Sequence, residues 1–188
     1  MPWTLMPALL AVLAHTGPAT GNPLKSLYTT IDLAKCRQMG KGPDGDAWLC
    51  SGLDGYPVYI AEGDLRTFVS VGRQPQKRKA AQQTLAPFNS LFQRKSQRAT
   101  IEWRFVKKDG KVQPFATIQR YFTKNDSGSG QVLVITKVTP SEDCHAAYVD
   151  ALANPQAIVL ARDFADNEAR QFDCRSEQGQ TALRSVAM

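Results

Sequence analysis

Cys144 and His145 stand side by side in SEDCHAAYVDALANPQ, residues 141–156, a thiol next to an imidazole with acidic residues on either side. Three chemistries use such a pair: a thiolate nucleophile with its base, a metal site, or one half of a disulfide. A catalytic cysteine needs an imidazole that reaches its sulfur. Adjacent side chains on a helix diverge by about 100°, and the only other histidine, His15, lies in an apolar N-terminal run. No remote base is left. A helix N-terminus would still lower a thiol's pKa, so a lone reactive thiol stands as the alternative to a disulfide. For a metal, no further ligand lies at helical spacing from His145.

The N-terminus decides how the cysteines are read. TLMPALLAVLAHTGPAT holds an apolar run the size of a signal-peptide core, about ten residues, where about 20 are needed to span a bilayer. Cleavage after Ala19 would put Gly17 at −3 and Ala19 at −1, although no Lys or Arg precedes the apolar core. The expectation is a leader over 1–19 and export to the periplasm or beyond, with no transmembrane segment once the leader is removed. In an oxidising compartment four cysteines imply disulfides. Pairing sequence neighbours, Cys36–Cys50 and Cys144–Cys174, closes two modest loops, each worth roughly 3 kcal/mol in the chain-entropy model. The spacings contain no C-x2-C pair, which argues against zinc. No metal or cofactor is expected.

Two other constellations carry charge in patterns that do chemistry. AEGDLR sets Glu62, Asp64 and Arg66 in one turn, and a hydrolase would use such carboxylates, with Glu102, Asp143 and Asp150 joining them in space. Turns also carry Asp and Gly for purely conformational reasons. The segment 73–111 is the most basic: Lys77, Arg78, Lys79, Arg94, Lys95 and Arg98, then Lys107, Lys108 and Lys111, with Phe88 and Phe92 between the first two groups. A surface of that kind follows a polyanion, an anionic envelope polymer or lipid. Its plain alternative is a solvated loop and a Lys-rich hairpin end that protects a strand edge. The net charge of +6 over 188 residues leans the same way without being extreme. No nucleotide-binding, serine-elbow or zinc-hydrolase motif is present.

The elements that must position these residues follow from period and punctuation. At 43% hydrophobic and 21% charged the chain is globular material, enough for one domain with a sizeable core. Residues 28–36 read as a first strand, and MGKGPDGDAW as a turn that lays Cys36 across a hairpin from Cys50. Residues 57–61 and 65–72 alternate as a second hairpin. Leu85, Phe88, Leu91 and Phe92 form a short apolar patch that tucks onto the body. TIEWRFVKK, KVQPFATIQRYF and QVLVITKV form a meander turned at Asp109–Gly110. Ser141 then reads as an N-cap with Glu142 and Asp143 in the first helical turn, and Asn154–Pro155 opens a second helix with a stripe of Ile158, Ala161, Phe164 and Ala165. The expected fold is α+β: an antiparallel sheet of about five to seven strands over residues 20–175, two C-terminal helices packed on it, disulfide staples, and a flexible tail at 176–188. Trp103 and Phe105 are expected against Ile158 and Phe164.

GYPVYIAEGDLRTFVSVG, TIEWR, PFATI, GQVLVITKV and CHAAYVDALANP resemble the recurring blocks of uncharacterised small exported bacterial proteins, across most of residues 28–174. The resemblance implies a domain that behaves as one unit and adds no catalytic residue. The function expected is an exported, non-catalytic domain that binds an envelope component. The alternatives are an anion-binding accessory protein and the carboxylate hydrolase.

Overall fold

The computed structural model describes Met1 and residues 25–42, 45–93, 98–175 and 182–183. The leader and most of the tail expected at 176–188 lie outside the described residues. The strands are β1 (Lys25–Asp32), β2 (Arg37–Gly42), β3 (Gly45–Leu53), β4 (Tyr56–Gly63), β5 (Arg66–Val71), β6 (Phe88–Ser90), β7 (Arg98–Lys108), β8 (Lys111–Asn125), β9 (Gly128–Val138), β10 (Asp143–Asp150) and β11 (Ala182–Leu183), with one α-helix, α1 (Ala157–Asn167), between the last two. The expected α+β plan with two C-terminal helices is therefore wrong. The protein is mostly antiparallel sheet, and among the described residues it has a single helix of any length.

Two sheets are present. The larger runs β1-β7-β8-β9-β10-β11, and the smaller runs β2-β3-β4-β5. β8 is long enough to pair with β7 as far as Gln119 and with β6 from Phe122 onward, on its other half. Among the described residues only the short β10–β11 pair is parallel. The turn between β7 and β8 is the Asp-Gly hairpin read from sequence, with φ of 51° at Asp109 and 74° at Gly110.

The two sheets face each other over a common core. Period-2 alternation sends Ile101 and Trp103 of β7 inward to meet Val58 and Ile60 of β4 and Val69 and Val71 of β5, all at most 2% exposed. The Trp103 indole lies edge-on to Tyr56 and donates to the Thr29 hydroxyl at 2.8 Å. Leu85, Leu91 and Phe92 close one end of this core, while Phe88 stays exposed. Trp103 thus packs on the small sheet, not on the helix as the sequence suggested. The helix covers the opposite face of the large sheet through Ala157, Ala161 and Ala165, a row at i, i+4, i+8 that lets the backbone approach closely. Ile158 and Phe164 only flank that stripe.

The outer face also holds charge. Glu102 and Arg104 of β7 look solvent-facing in a strand pattern, yet both are buried under α1. Arg104 binds Asp166 through Nε at 2.9 Å and Nη2 at 2.7 Å. Arg162, one helical turn earlier, binds Glu102 at 2.7 and 3.1 Å. Ser26 donates to Glu102 and accepts from Arg104. Each of the four charges faces an opposite one, which is what burial of ions requires.

The stretch around Cys144 is the second correction. Asp143–Asp150 is not a capped helix but the strand β10, paired with β9. Its register shifts between His145 and Ala147, so Ala146 is an extra residue, a β-bulge. The bulge resets the alternation. His145 and Tyr148, three apart, share the inner face, while Cys144, Ala147 and Val149 share the helix side. A three-residue spacing of this kind imitates helical period in the sequence. The disulfides join Cys36 to Cys50 and Cys144 to Cys174, and no cysteine is free. The first ties the corner where the chain passes from β1 into the small sheet. The second ties β10 to the segment after α1.

Candidate anion-binding cleft

β5 is the edge of the small sheet, and its outward N–H groups need partners. The hairpin before it turns on Asp64 and Leu65, both at positive φ, which leaves the N–H groups of Thr67 and Val71 pointing away from β4. The Asn89 carboxamide oxygen accepts from Thr67 at 3.1 Å. The Asp143 carboxylate accepts from Val71 at 2.7 Å. Side chains from the large sheet thus stand where a neighbouring strand would.

Beyond Val71 the chain turns through Gly72 (φ 95°) and Gln74 (φ 49°) into two short 3-10 turns, Pro75–Lys77 and Lys79–Gln82. Opposite them lies the link between β9 and β10. There Thr139 Oγ1 accepts from the N–H groups of Ser141 and Glu142, at 3.3 and 2.9 Å. Between the two walls opens a cleft of about 660 Å³, lined by Arg73, Gln74, Lys77, Arg78 and Lys79 on one side and Pro140, Ser141 and Glu142 on the other.

Arg78 fastens the walls together. Its guanidinium donates to the carbonyls of Arg73 at 2.9 Å, Thr139 at 3.4 Å and Pro140 at 2.9 Å. The chain turns into this wall at Gly72, whose φ of 95° favours glycine, with the guanidinium lying against it. These bonds satisfy donors but leave the positive charge in place. Lys79 donates to the Cys174 carbonyl. Arg73 and Lys77 are exposed, and their side chains have no hydrogen-bond or ion-pair partner among the described residues. The one carboxylate on the lining, Glu142, faces Lys137 at 3.1 Å. Four cations against one already neutralised anion leave the cleft positive.

Beneath this cleft sits Asp143, fully buried. Oδ2 takes the Val71 N–H, and Oδ1 has no hydrogen-bond partner. The nearby Ser70 hydroxyl donates instead to the Pro75 carbonyl at 2.6 Å. Loss of solvent outweighs the Val71 N–H, the nearby Ser70 hydroxyl, the Arg78 charge and the Ala80 N–H, and pushes the Asp143 pKa up to about 6. On the same face, His145 is buried with its Nδ1 sharing a 3.0 Å hydrogen bond with the Tyr148 hydroxyl and its Nε2 bare. Burial lowers its pKa to about 4, so the ring is neutral near pH 7. Burial also pushes Tyr148 up to about 12 and Tyr121, whose hydroxyl is unpartnered, higher still. His145 has neither a thiol nor a second ligand beside it, since Cys144 points to the helix side and is bonded to Cys174. Among the described residues no group of three His, Cys, Asp or Glu is placed to hold a metal.

The basic segment 73–111 does not form one surface. Lys77, Arg78 and Lys79 line the cleft. Arg94 and Lys95 lie outside the described residues. Arg98 begins β7 and pairs with Asp32 at 3.1 Å, beside a separate hollow shared with Arg120. Lys107, Lys108 and Lys111 belong to the β7–β8 hairpin. Phe92 is core, and Phe88 receives Arg66 over its ring at 5.4 Å.

The carboxylates do not converge either. Asp64 pairs with Arg66, which also donates to the Ala86 carbonyl at 3.1 and 2.9 Å. Glu62 lies beside Asp46 across β3 and β4, and partial burial followed by the Asp46 charge raises its pKa. Glu102 is held under the helix, Asp143 lies below the cleft, and Asp150 accepts from the N–H groups of Leu152 and Ala153. Arg73, Gln74, Pro140, Ser141 and Glu142 are the cleft residues that sequence reasoning did not single out as a site. The available signal was the run of cations in RQPQKRK.

Compared with known protein families, curated proteins and solved structures, the chain matches none.

Proposed function

We propose that this protein is an exported binding domain that holds an anionic group of a soluble polymer in the cleft between residues 73–79 and 140–142. The observation that carries the reading is the pair of exposed cations, Arg73 and Lys77, which have no hydrogen-bond or ion-pair partner among the described residues and stand on a concave wall already made positive by Arg78 and Lys79. Two disulfides and the absence, among the described residues, of a helix long and apolar enough to cross a membrane are consistent with the export expected from the leader. A polymer is favoured over a bilayer because none of the exposed large apolar side chains among the described residues lines the cleft, and Leu65, Phe88 and Leu152 among them line a separate hollow. A membrane-binding face would combine cations with apolar side chains.

The test is binding of the mature protein to dextran sulfate over a salt series, with vesicles containing an anionic phospholipid as the second arm. Affinity for the polymer falls as salt rises, and R73E/K77E loses most of it while keeping the wild-type fold. Unchanged binding by that variant sinks the reading, and vesicle binding without polymer binding moves the ligand to the membrane.

A further inference from the structure

The carboxyl of Asp143 is placed oddly for a structural group. It is sealed from solvent, Oδ1 has no hydrogen-bond partner among the described residues, and the cation that acts on it, Arg78, is also a lining residue of the cleft. A purely structural acceptor for the Val71 N–H is available without a charge, as Asn89 shows at the other end of the same strand. We infer that Asp143 couples anion binding in the cleft to proton uptake, so that the ligand is held more tightly in mildly acidic conditions than above neutrality. This rests on the cleft reading given above.

The physical route is short. When Asp143 is ionised, its negative charge offsets part of the Arg78 charge and opposes an incoming anion. When it is protonated, the charge of Arg78 is left to the cleft. By linkage, the bound anion must favour the protonated carboxyl by the same factor. The elements packed around Asp143 hold few competing groups. β5 presents Ser70 and the Val71 N–H, and the 3-10 turns present Arg78 and the Ala80 N–H. β9 presents Val138, with Lys137 turned to Glu142 and to the Phe172 carbonyl. The link before β10 adds Glu142 on the lining, β10 adds His145 two residues along from Asp143, and the second 3-10 turn carries Lys79, which donates to the Cys174 carbonyl. His145 stays neutral because its pKa lies near 4, so Asp143 is the buried group here that changes charge just below neutrality.

Dextran sulfate is the probe, because its sulfate esters keep their charge across the range. Affinity is measured at about pH 5.5 and about pH 7.5, at constant ionic strength, for wild type and D143N. The wild type is expected to bind at least about fivefold more tightly at the lower pH, and D143N to show no such ratio. Calorimetry of the wild type near pH 6, in two buffers of different ionisation heat, reads proton uptake directly and does not depend on the variant folding. Proton uptake on binding supports the inference. Binding with no proton uptake, or with the pH ratio intact in a folded D143N, overturns it while the cleft reading stands. No binding at either pH overturns both.

Discussion

The two faces of the large sheet bury ionisable groups in opposite ways, although the inner face also holds the hydrogen-bonded neutral set Thr117, Gln119 and Thr136. On the outer face, Glu102, Arg104, Arg162 and Asp166 lie between β7 and α1, and each charge meets its complement. On the inner face, Asp143, His145 and Tyr121 each keep one polar atom without a partner. Buried groups with partners hold a structure in one arrangement, and buried groups without them cost stability. The outer cluster therefore reads as a clamp for the helix. The inner one is a set of groups whose charge is poorly tolerated, and Asp143 among them lies under the cationic cleft.

Neighbours in sequence test that contrast most strongly. Trp103 faces in and Glu102 faces out. Trp103→Ala empties the middle of the inter-sheet core and is expected to cost about 4 kcal/mol in urea unfolding. Glu102→Ala leaves Arg104 with Asp166 and leaves Arg162, which is partly exposed, with the Tyr28 hydroxyl at 2.8 Å, and is expected to cost about 2 kcal/mol. If Glu102→Ala is neutral, the outer cluster is not a clamp.

The inner face makes pH-dependent predictions whose signs differ. The folded pKa of His145 is depressed from 6.5 to about 4, so the stability its neutral ring allows is present above pH 6.5 and is lost as pH falls through 4. The folded pKa of Asp143 is raised from 3.8 to about 6, so its penalty is absent below 3.8 and complete above 6. Between pH 4 and 6 the two effects oppose each other in the wild type. In D143N the histidine limb is unmasked, and stability should fall by about 3 kcal/mol from pH 6.5 to 4. A flat profile in that variant would count against a neutral buried His145. At pH 7.5, D143N should be more stable than wild type by about 2 kcal/mol, since the amide oxygen still accepts from Val71 and no charge is buried. Smallest of all, R73E and K77E should change stability by less than about 0.5 kcal/mol, because these side chains are exposed and have no hydrogen-bond or ion-pair partner among the described residues.

Much of the strand content was legible because it rests on local rules. Asp109–Gly110, the alternation of Ile101 and Trp103, and the apolar QVLVI announce hairpins and strands whatever surrounds them. The cleft was half legible: Lys77, Arg78 and Lys79 stood out as charge, but nothing in the chain distinguishes Arg78, committed to three carbonyls, from Lys77, which has no partner among the described residues. Glu102 and Arg104 matched the outward face of a strand, and only α1 lying across them makes that face interior. The helix expected at residues 141–150 failed for a definite reason. One inserted residue, Ala146, converts alternation into a three-residue spacing, and pairing with β9 then overrides the helical preference of its alanines.

The amino-acid sequence by itself determined the cysteine number and the positive charge of residues 73–79, because composition does not depend on neighbours far along the chain. It also determined the hairpins of the large sheet, whose signals are local. Tertiary structure decided which face of each strand is interior, where β10 sits, and that Asp143 lies beneath the cationic wall. Those depend on contacts such as Val71 with Asp143, 72 residues apart, and burial is a property of what the rest of the chain covers.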